Sequence, residues 1–338
     1  MEPALWLEWI IKSIIMIIVL LLGFAYLTWM ERKFLARFQN RFGPNRAGPY
    51  GLLQPVADGI KLMFKEELIP AQADKLIFIL APVMTAVPAW IILGVIPLGS
   101  VQLFGRTIDL SIAGDLNVGI LYIAAITSIS VYGIVLAGWS SNNKYATMGG
   151  IRSTAQMISY ELALGLSFVG PIMMAGSLSL GQIVQKQSET GWFAIFQPIG
   201  FVVFLVAALA EINRSPFDMP EAEQELTAGY HVEYSGMKFA LFMLTEYTKM
   251  IVVSAIAATL FLGGFQFPFL TDRFPWMGPI VLFAKVIILL YGIIWVRATL
   301  PRVRYDQLMQ LGWKIMLPLA LVNVFLTAIV MFALKMVP

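Results

Sequence analysis

The chain has 338 residues, of which 59% are hydrophobic and 13% are charged, and its mean hydropathy is +0.79. Soluble domains contain about 45–50% apolar and about 25% charged residues, so this composition excludes a soluble globular protein and indicates a polytopic membrane protein. The sequence has no cysteine and a single histidine, His231, which excludes disulfides, iron–sulfur clusters held by its own thiolates and haem held by a histidine pair. The net charge of +3 is too small and too scattered for nucleic-acid binding.

Apolar stretches of about 20 residues predict eight transmembrane helices in an all-α fold. The first stretch is too long for a signal peptide and lacks a small-residue cleavage site, so we expect a retained helix. The stretches leave no room for a soluble domain, and we expect residues 1–338 to form a single transmembrane domain. The predicted helices lie at residues 9–30, 76–98, 117–138, 155–175, 195–212, 239–262, 279–297 and 314–335.

The longest predicted loop, residues 31–75, contains a second kind of helix signal. Between Gly51 and Leu68, apolar residues recur three or four positions apart, while Asp58 and Lys61 take other faces. This pattern predicts an amphipathic helix at the membrane interface. Such a helix either seals the bundle or forms a doorway through which a lipophilic ligand enters from the bilayer. Its apolar positions are Leu53, Val56, Ala57, Ile60, Met63 and Phe64.

The distribution of Lys and Arg among the loops predicts the orientation of the chain. The first, third, fifth and seventh loops carry 15 of these residues, and the opposite side carries five. By the positive-inside rule, both termini lie outside, and the loops at 31–75 and 212–238 face the cytoplasm or an organelle's matrix.

The loop after the fifth predicted span is rich in acidic residues. Glu211 closes that span and Arg214 follows three positions later, so we expect an ion pair between them. Glu221, Glu223 and Glu225 are too close together for all three to ionise cheaply in a restricted space, as suits a proton relay. The alternative is a solvated acidic loop that docks against basic peripheral subunits.

Ionisable residues also lie inside the predicted spans, where they indicate function by default. Glu161 lies in the fourth span and Glu246 in the sixth, with Lys249 three positions after Glu246. Lys249 either takes part in a charge path or only neutralises Glu246. Lys285, in the seventh span, either has a buried partner or extends toward the membrane surface.

The predicted inward loops contain four motif segments: residues 30–33 (Met-Glu-Arg-Lys), 41–49 (Arg-Phe-Gly-Pro-Asn-Arg-Ala-Gly-Pro), 211–234 and 297–307 (Arg-Ala-Thr-Leu-Pro-Arg-Val-Arg-Tyr-Asp-Gln). Together they resemble one family of respiratory complex I components, the membrane subunit at the heel of that enzyme, called the H subunit in bacteria. The resemblance covers the whole chain, and the segments occur in the order that the family shows. One departure is His231, where the family more often has Asn; since imidazole also donates and accepts hydrogen bonds, the departure puts little in doubt.

The resemblance implies a membrane subunit of a proton-translocating NADH:quinone oxidoreductase. It implies that quinone, the substrate, enters between the first span, the amphipathic helix and the sixth span, and reaches a chamber roofed by two peripheral subunits. This chain would supply the entrance and the lower wall and would carry no redox group. FMN, the iron–sulfur clusters and the ligands of the quinone head group would belong to partner subunits, and we expect no metal and no catalytic residue on this chain.

The resemblance, together with the charges described above, implies two groups of site residues. We expect quinone reduction beside the acidic segment, which we define as residues 211–234, to change the charge in the chamber and to shift proton occupancy along the proton path. The quinone-chamber and coupling group comprises Glu31, Arg32, Arg41, Arg46, Asp58, Lys61, Glu211, Arg214, Asp218, Glu221, Glu223, Glu225, Arg297 and Arg302, and the proton path comprises Glu161, Glu211, Glu246 and Lys249.

Two basic segments have alternative roles. The turn around Arg41 and Arg46 is rich in Gly and Pro, so it is rigid enough to direct guanidinium groups toward a partner's backbone or a quinone carbonyl. Arg297, Arg302 and Arg304 serve either as positive-inside anchors or as partners of the acidic segment or of Asp58.

The expected partners are peripheral-arm iron–sulfur and quinone-site subunits, small membrane subunits, antiporter-like subunits and lipids. The expected location is the bacterial plasma membrane, ahead of the mitochondrial inner membrane. Two other functions remain open: a membrane subunit of an energy-converting hydrogenase-type complex, which shares the heel architecture, and a freestanding ion-coupled transporter. The sequence shows no paired broken helices in matching halves and no clear internal repeat, which argues against the transporter.

Overall fold

The computed structural model describes residues 3–103, 106–114, 116–218, 229–268 and 270–333. Among these residues, seven helices are long and apolar enough to cross a membrane, and an eighth apolar helix, Pro198–Glu211, is shorter. The prediction of an all-α polytopic membrane protein is confirmed. The 14 residues of the short helix span about 21 Å at 1.5 Å per residue, less than the roughly 30 Å of a bilayer's hydrocarbon core.

The regular elements follow one another along the chain with few long connections. In chain order they are α1 Pro3–Phe38, α2 Gln54–Met63, α3 Lys75–Leu93, β1 Ser100–Leu103, β2 Arg106–Asp109, α4 Gly119–Ser140, α5 Lys144–Ala175, α6 Leu180–Thr190, α7 Phe193–Phe196, α8 Pro198–Glu211, α9 Gly236–Phe261, α10 Leu270–Arg273, α11 Gly278–Thr299, α12 Tyr305–Gln310 and α13 Leu317–Ala333. Short 3₁₀ turns occupy Pro49–Gly51, Gly229–His231 and Pro275–Met277, and a π-helical turn, Leu311–Met316, joins α12 to α13.

Helix α5 lies at the centre of the bundle, where it packs against α4, α8 and α13, while α9 packs against α3 and α11. Glycines allow the helix backbones to approach closely: a Cβ added at Gly138 of α4 would lie 2.6 Å from the carbonyl oxygen of Ala146 in α5. Small residues at such crossings are typical of membrane helices, because apolar burial adds little in lipid and packing must supply the attraction.

Helix α1 continues past residue 30, the predicted end of the first span. Residues 31–38 are therefore helical, and Glu31, predicted to lie in a loop, is 2% exposed. The amphipathic helix predicted between Gly51 and Leu68 is present as α2, and it begins and ends inside the predicted limits. Several elements lie outside the predicted spans, among them the antiparallel hairpin that pairs Ser100 with Asp109, helix α6 and the short helices α10 and α12.

The connections lie at two ends of the bundle. At one end, Ser235 donates to the carbonyl of Glu66 and Asn143 donates to Glu233, so three loops meet there. We call this the charged end; it includes the described loops at 39–53, 64–74, 141–143, 212–218, 229–235 and 300–304. The opposite end carries α6 and the loops at 94–99, 176–179 and 262–268, which are joined through bonds such as that from Ile120 to Leu178.

Candidate functional site

Four charged side chains from separate parts of the chain form a buried cluster near the charged end. Arg214, after α8, has Nη2 2.5 Å from Oε2 of Glu31 in α1, and its Nη1 contacts Glu246 in α9. Arg297, at the end of α11, pairs with the other oxygen of Glu31. Arg214, Glu31 and Glu246 are almost fully buried, and Arg297 is partly exposed. Two cations balance two carboxylates, which makes burial of all four charges tolerable.

A tight turn after α8 directs Arg214 into this cluster. Asn213 has φ of +57°, a left-handed conformation that Asn adopts more readily than most residues, and its Nδ2 donates to Ser153 Oγ at 3.0 Å. Because helical geometry ends at Glu211, Arg214 does not share a helical face with it. The predicted ion pair between Glu211 and Arg214 is therefore wrong: the guanidinium pairs with Glu31 and Glu246 and lies 4.7 Å from the ring of Tyr247.

A second charged group lies deeper between the helices, around a cavity of about 30 Å³. Glu211 and Lys249 line this cavity together with Thr127 and Ser130 of α4. Lys249 Nζ donates to Ser130 Oγ at 3.0 Å, and Oε2 of the buried Glu211 has no hydrogen-bond partner among the described residues. The volume is sufficient for one or two water molecules, and the polar walls offer them donors and acceptors.

Glu161 lies at the side of the charged group formed by Glu211 and Lys249. Ser128 of α4 donates a hydrogen bond to its carboxylate, and both side chains are half-buried at the surface between α4 and α5. Glu211 is within electrostatic range of both Lys249 and Glu161. The structure thus brings three of the four predicted proton-path residues together.

The fourth residue, Glu246, belongs to the four-charge cluster. The suggestion that Lys249 neutralises Glu246 is wrong, because Glu246 pairs with Arg214 and Lys249 contacts Ser130. Even so, Glu246 and Lys249 are three positions apart on α9, and side chains at this spacing are neighbours on a helix surface, about 5–6 Å apart at Cβ. Helix α9 therefore connects the two charged groups.

Helix α2 lies beside α1 and α9 at the charged end. Asp58 of α2 holds Arg32 of α1 at 2.6 Å, accepts a bond from Gln54 and lies 3.8 Å from Lys61. This pairing, and not the suggested pairing of Asp58 with the arginines at 297–304, fixes α2 against α1. The apolar positions of α2, Val56, Ile60 and Met63, are largely exposed on the isolated chain, as are Leu53 before the helix and Phe64 after it.

The other arginines named in the sequence analysis lie at or near the surface of the charged end, each in different surroundings. Arg302 pairs with Asp218 at 2.9 Å, which confirms pairing with the start of the acidic segment. Arg41 donates to Gln39, Arg46 is exposed, and the backbone N–H of Arg304 bonds Gln307. Glu221, Glu223 and Glu225 lie outside the described residues.

The far end of the acidic segment is anchored by packing. A Cβ added at Gly149 of α5 would lie 2.8 Å from the Cα of Gly229, so the two backbones touch. Tyr234 stacks on Phe78 with ring centroids 4.0 Å apart and lies 3.4 Å from Ser140 Oγ. Burial raises the pKa of Tyr234 to about 12, while the bond to Ser140 lowers it slightly, so the hydroxyl stays neutral. His231 is buried beside the rings of Tyr230 and Phe239.

Sequence reasoning missed the polar side chains that complete the second group. Thr127, Ser128 and Ser130 form a short polar run inside an apolar span, and that run was the available signal. Lys285, left open between two roles, is buried and donates to three backbone carbonyls, those of Leu262, Gly264 and Gln266. Among the described residues, no group of three or more His, Cys, Asp or Glu side chains is arranged to hold a metal ion.

Comparison with known proteins gives one consistent result. A family model described as NADH dehydrogenase matches residues 11–328. An H subunit of the NADH-quinone oxidoreductase of Geobacter sulfurreducens is 50% identical over 96% of this chain and 95% of its own length. The H subunit of the same enzyme from Thermomicrobium roseum is 51% identical over 96% and 97%, and one from Syntrophobacter fumaroxidans is 54% identical over 94% of each chain.

Proposed function

The chain belongs to the NADH dehydrogenase family, and we propose that it forms the quinone entrance and the lower chamber wall of an NADH:quinone oxidoreductase and couples quinone reduction to proton movement. It acts as a membrane subunit of that complex. The names of the relatives favour this function over a hydrogenase-type complex or a freestanding transporter.

One observation carries the proposal: two groups of buried charges meet on α9, where Glu246 belongs to one and Lys249 to the other. Ionisable groups within a membrane are expensive to keep and are retained mainly where they perform work. The four-charge cluster lies next to the acidic segment, on the side where a quinone chamber would be. The Glu211–Lys249 group lies deeper, on the side where protons would leave.

The first coupling step takes place in the four-charge cluster. Its two cations and two carboxylates are balanced, so protonation of Glu246 leaves the cluster with one excess positive charge around Arg214. In a buried environment that charge is poorly screened and acts strongly over the distance of one helical turn. It disfavours the ammonium form of Lys249 next to it.

The second step takes place around the cavity. Lys249 passes its proton to Glu211, directly or through water in the cavity that both side chains line. The carboxylate of Glu161, held by Ser128 at the α4–α5 surface, then offers the route to a neighbouring membrane subunit. Ser130 holds the Lys249 ammonium in place until the charge in the first cluster changes.

The entrance is assigned to the gap between α1, α2 and α9. The exposed apolar face of α2 suits contact with a lipid or with the tail of a quinone, and the Arg32–Asp58 pair holds the helix at that position. We also assign Arg41, Arg46, Lys61 and Asp218 to the charged boundary of the chamber and, from the sequence alone, Glu221, Glu223 and Glu225. Arg302 fixes Asp218 at that boundary.

The partners follow from the assignment. FMN and the iron–sulfur clusters, which supply electrons to quinone, belong to peripheral subunits that cover the charged end. Small membrane subunits and antiporter-like subunits adjoin the α4–α5 surface, and lipid surrounds the rest. The proposed location is the bacterial plasma membrane.

The test is to replace Glu211 and Glu161 separately by Gln in the assembled complex. We expect each variant to retain assembly and to lose most proton translocation per quinone reduced, because a neutral amide cannot exchange a proton. The measurement is NADH:quinone activity together with proton uptake in sealed vesicles. Glu189→Gln on α6, where the native carboxylate is exposed and pairs with Lys186, is the matched control. Wild-type proton-to-electron ratios in both site variants would refute the relay.

A further inference from the structure

The cavity beside Glu211 and Lys249 has one polar and one apolar end. Its polar wall consists of those two residues with Thr127 and Ser130, and its apolar wall includes Phe168, Phe204 and Ile256. Phe204 precedes Glu211 by seven positions on α8, so it lies about 10 Å farther along the helix toward the opposite end. The cavity therefore changes from polar to apolar in the direction of α6.

An aromatic layer continues from the apolar wall across three helices. The ring of Phe204 lies 5.9 Å from that of Phe168 in α5 and 5.5 Å from that of Phe261 in α9, and Phe261 lies 5.2 Å from Phe201. Phe168, Phe204 and Phe261 are fully or almost fully buried. We refer to these four phenylalanines as the aromatic layer. None of their side chains can donate or accept a conventional hydrogen bond.

Beyond the aromatic layer, two polar side chains at the opposite end, those of Gln187 and Lys285, are hydrogen-bonded to the backbone. Gln187 of α6 donates to the carbonyl of Thr259 and accepts from the N–H of Gly263, both at 2.8 Å. The Lys285 ammonium donates to three carbonyls at 2.6–2.8 Å. Gln187 and Lys285 fix the end of α9, and neither of them can accept a proton from the cavity as a carboxylate would.

We propose that the aromatic layer is a dry barrier that closes the cavity toward the opposite end, so that protons exchanged at Glu211 and Lys249 leave sideways past Ser128 and Glu161. This inference rests on the proposed role of Glu211 and Lys249 in proton exchange. Apolar constrictions exclude water, and a proton cannot cross a layer that holds neither water nor a titratable group. Glu161, half-buried at the α4–α5 surface and hydrogen-bonded to Ser128, is the titratable group that this lateral route would use.

The test is passive proton flux through the purified complex in liposomes, without NADH, under an imposed pH gradient. Phe204→Ser replaces a ring of the layer by a small hydroxyl side chain, and we expect the passive flux to rise severalfold. Phe204→Leu, which keeps the position apolar, is the matched control and should give wild-type flux. Phe168→Ser repeats the test from a second helix and decides the matter if Phe204→Ser does not assemble.

A double variant separates this barrier from the proposed function. Adding Glu211→Gln to Phe204→Ser should reduce the leak, since the path into the cavity passes through Glu211. Wild-type flux in an assembled Ser variant would overturn the barrier, and so would a leak that the double variant leaves unchanged. The proposed function is judged separately, by proton translocation per quinone in Glu211→Gln alone. A loss there, together with wild-type flux in the Ser variants, would refute only the barrier.

Discussion

The guanidinium of Arg214 is held by carboxylates from two helices that are distant in sequence, Glu31 of α1 and Glu246 of α9. Arg suits this position because its planar fork can bind two carboxylates at once, which a lysine ammonium does less well. The ring of Tyr247 covers one face of the guanidinium. The buried carboxylates of Glu31 and Glu246 therefore both depend on the positive charge of Arg214.

Removing Arg214 should therefore destabilise the protein more than removing an exposed arginine. Arg214→Met leaves Glu246 without its cation in a buried site, and breaking a buried pair in this way costs about 3–5 kcal/mol. We expect a clearly lower midpoint of thermal unfolding of the detergent-solubilised complex and a reduced yield of assembled particles on native gels.

The matched control for this substitution is Arg273→Met in α10, where the arginine is exposed and lies over the ring of Phe274. Its unfolding midpoint should stay close to that of the wild type. Arg214→Lys, which keeps the charge but loses the fork, should fall between the two. An unfolding midpoint for Arg214→Met equal to that of Arg273→Met would show that the cluster does not stabilise the chain.

At the scale of elements, α2 stands out because its apolar residues are spaced for packing but are largely exposed in the isolated chain. It has the spacing of a helix that packs on a core, yet none of its residues is buried in the isolated chain. Its ion pair with Arg32 fixes its position while its apolar face stays available. This is the arrangement expected of a helix that lies at a membrane interface and passes an apolar ligand.

A charge on the exposed apolar face of α2 should slow the entry of long-tailed quinones. Ile60 is 52% exposed on that face, and Ile60→Asp would place a carboxylate at the entrance that we propose for the isoprenoid tail. We expect the Michaelis constant for a long-chain quinone to rise severalfold, with little change for a short-chain, water-soluble analogue. Steady-state assays of the purified complex in liposomes measure both.

Gly59 offers the control on the same helix, because a Cβ added there meets no atom within 4 Å. Gly59→Ala should leave both Michaelis constants unchanged, and it should stabilise the helix by about 0.5–1 kcal/mol. Equal effects of Ile60→Asp on long and short quinones would indicate a disturbed chamber instead of a disturbed entrance.

At the scale of the whole molecule, the spans could be predicted and the site only in part. Long apolar runs predict the seven long helices, and the helical spacing of apolar residues in the first loop predicts α2. The two partners of Arg214 could not be predicted from the sequence, because the left-handed turn at Asn213 and the approach of α1 to α9 are set by tertiary packing. For the same reason, Glu246 and Lys249 look like a local pair in sequence but belong to different groups.

The two ends of the molecule should respond differently to a ligand in the quinone chamber. The charged end contains the buried pairs whose balance the proposed mechanism alters, whereas Gln187 and Lys285 fix the end of α9 at the opposite end. A change of charge in these pairs should alter the local stability of the segments that carry them, whereas it leaves the backbone hydrogen bonds of Gln187 and Lys285 intact. Hydrogen exchange of the complex, with and without a quinone-site inhibitor, should therefore change in peptides covering 31–38, 212–218 and 243–250. Hydrogen exchange should stay constant in peptides covering 180–190 and 259–264. Equal changes at both ends would mean that the whole bundle moves as one body and that no local charge relay is needed.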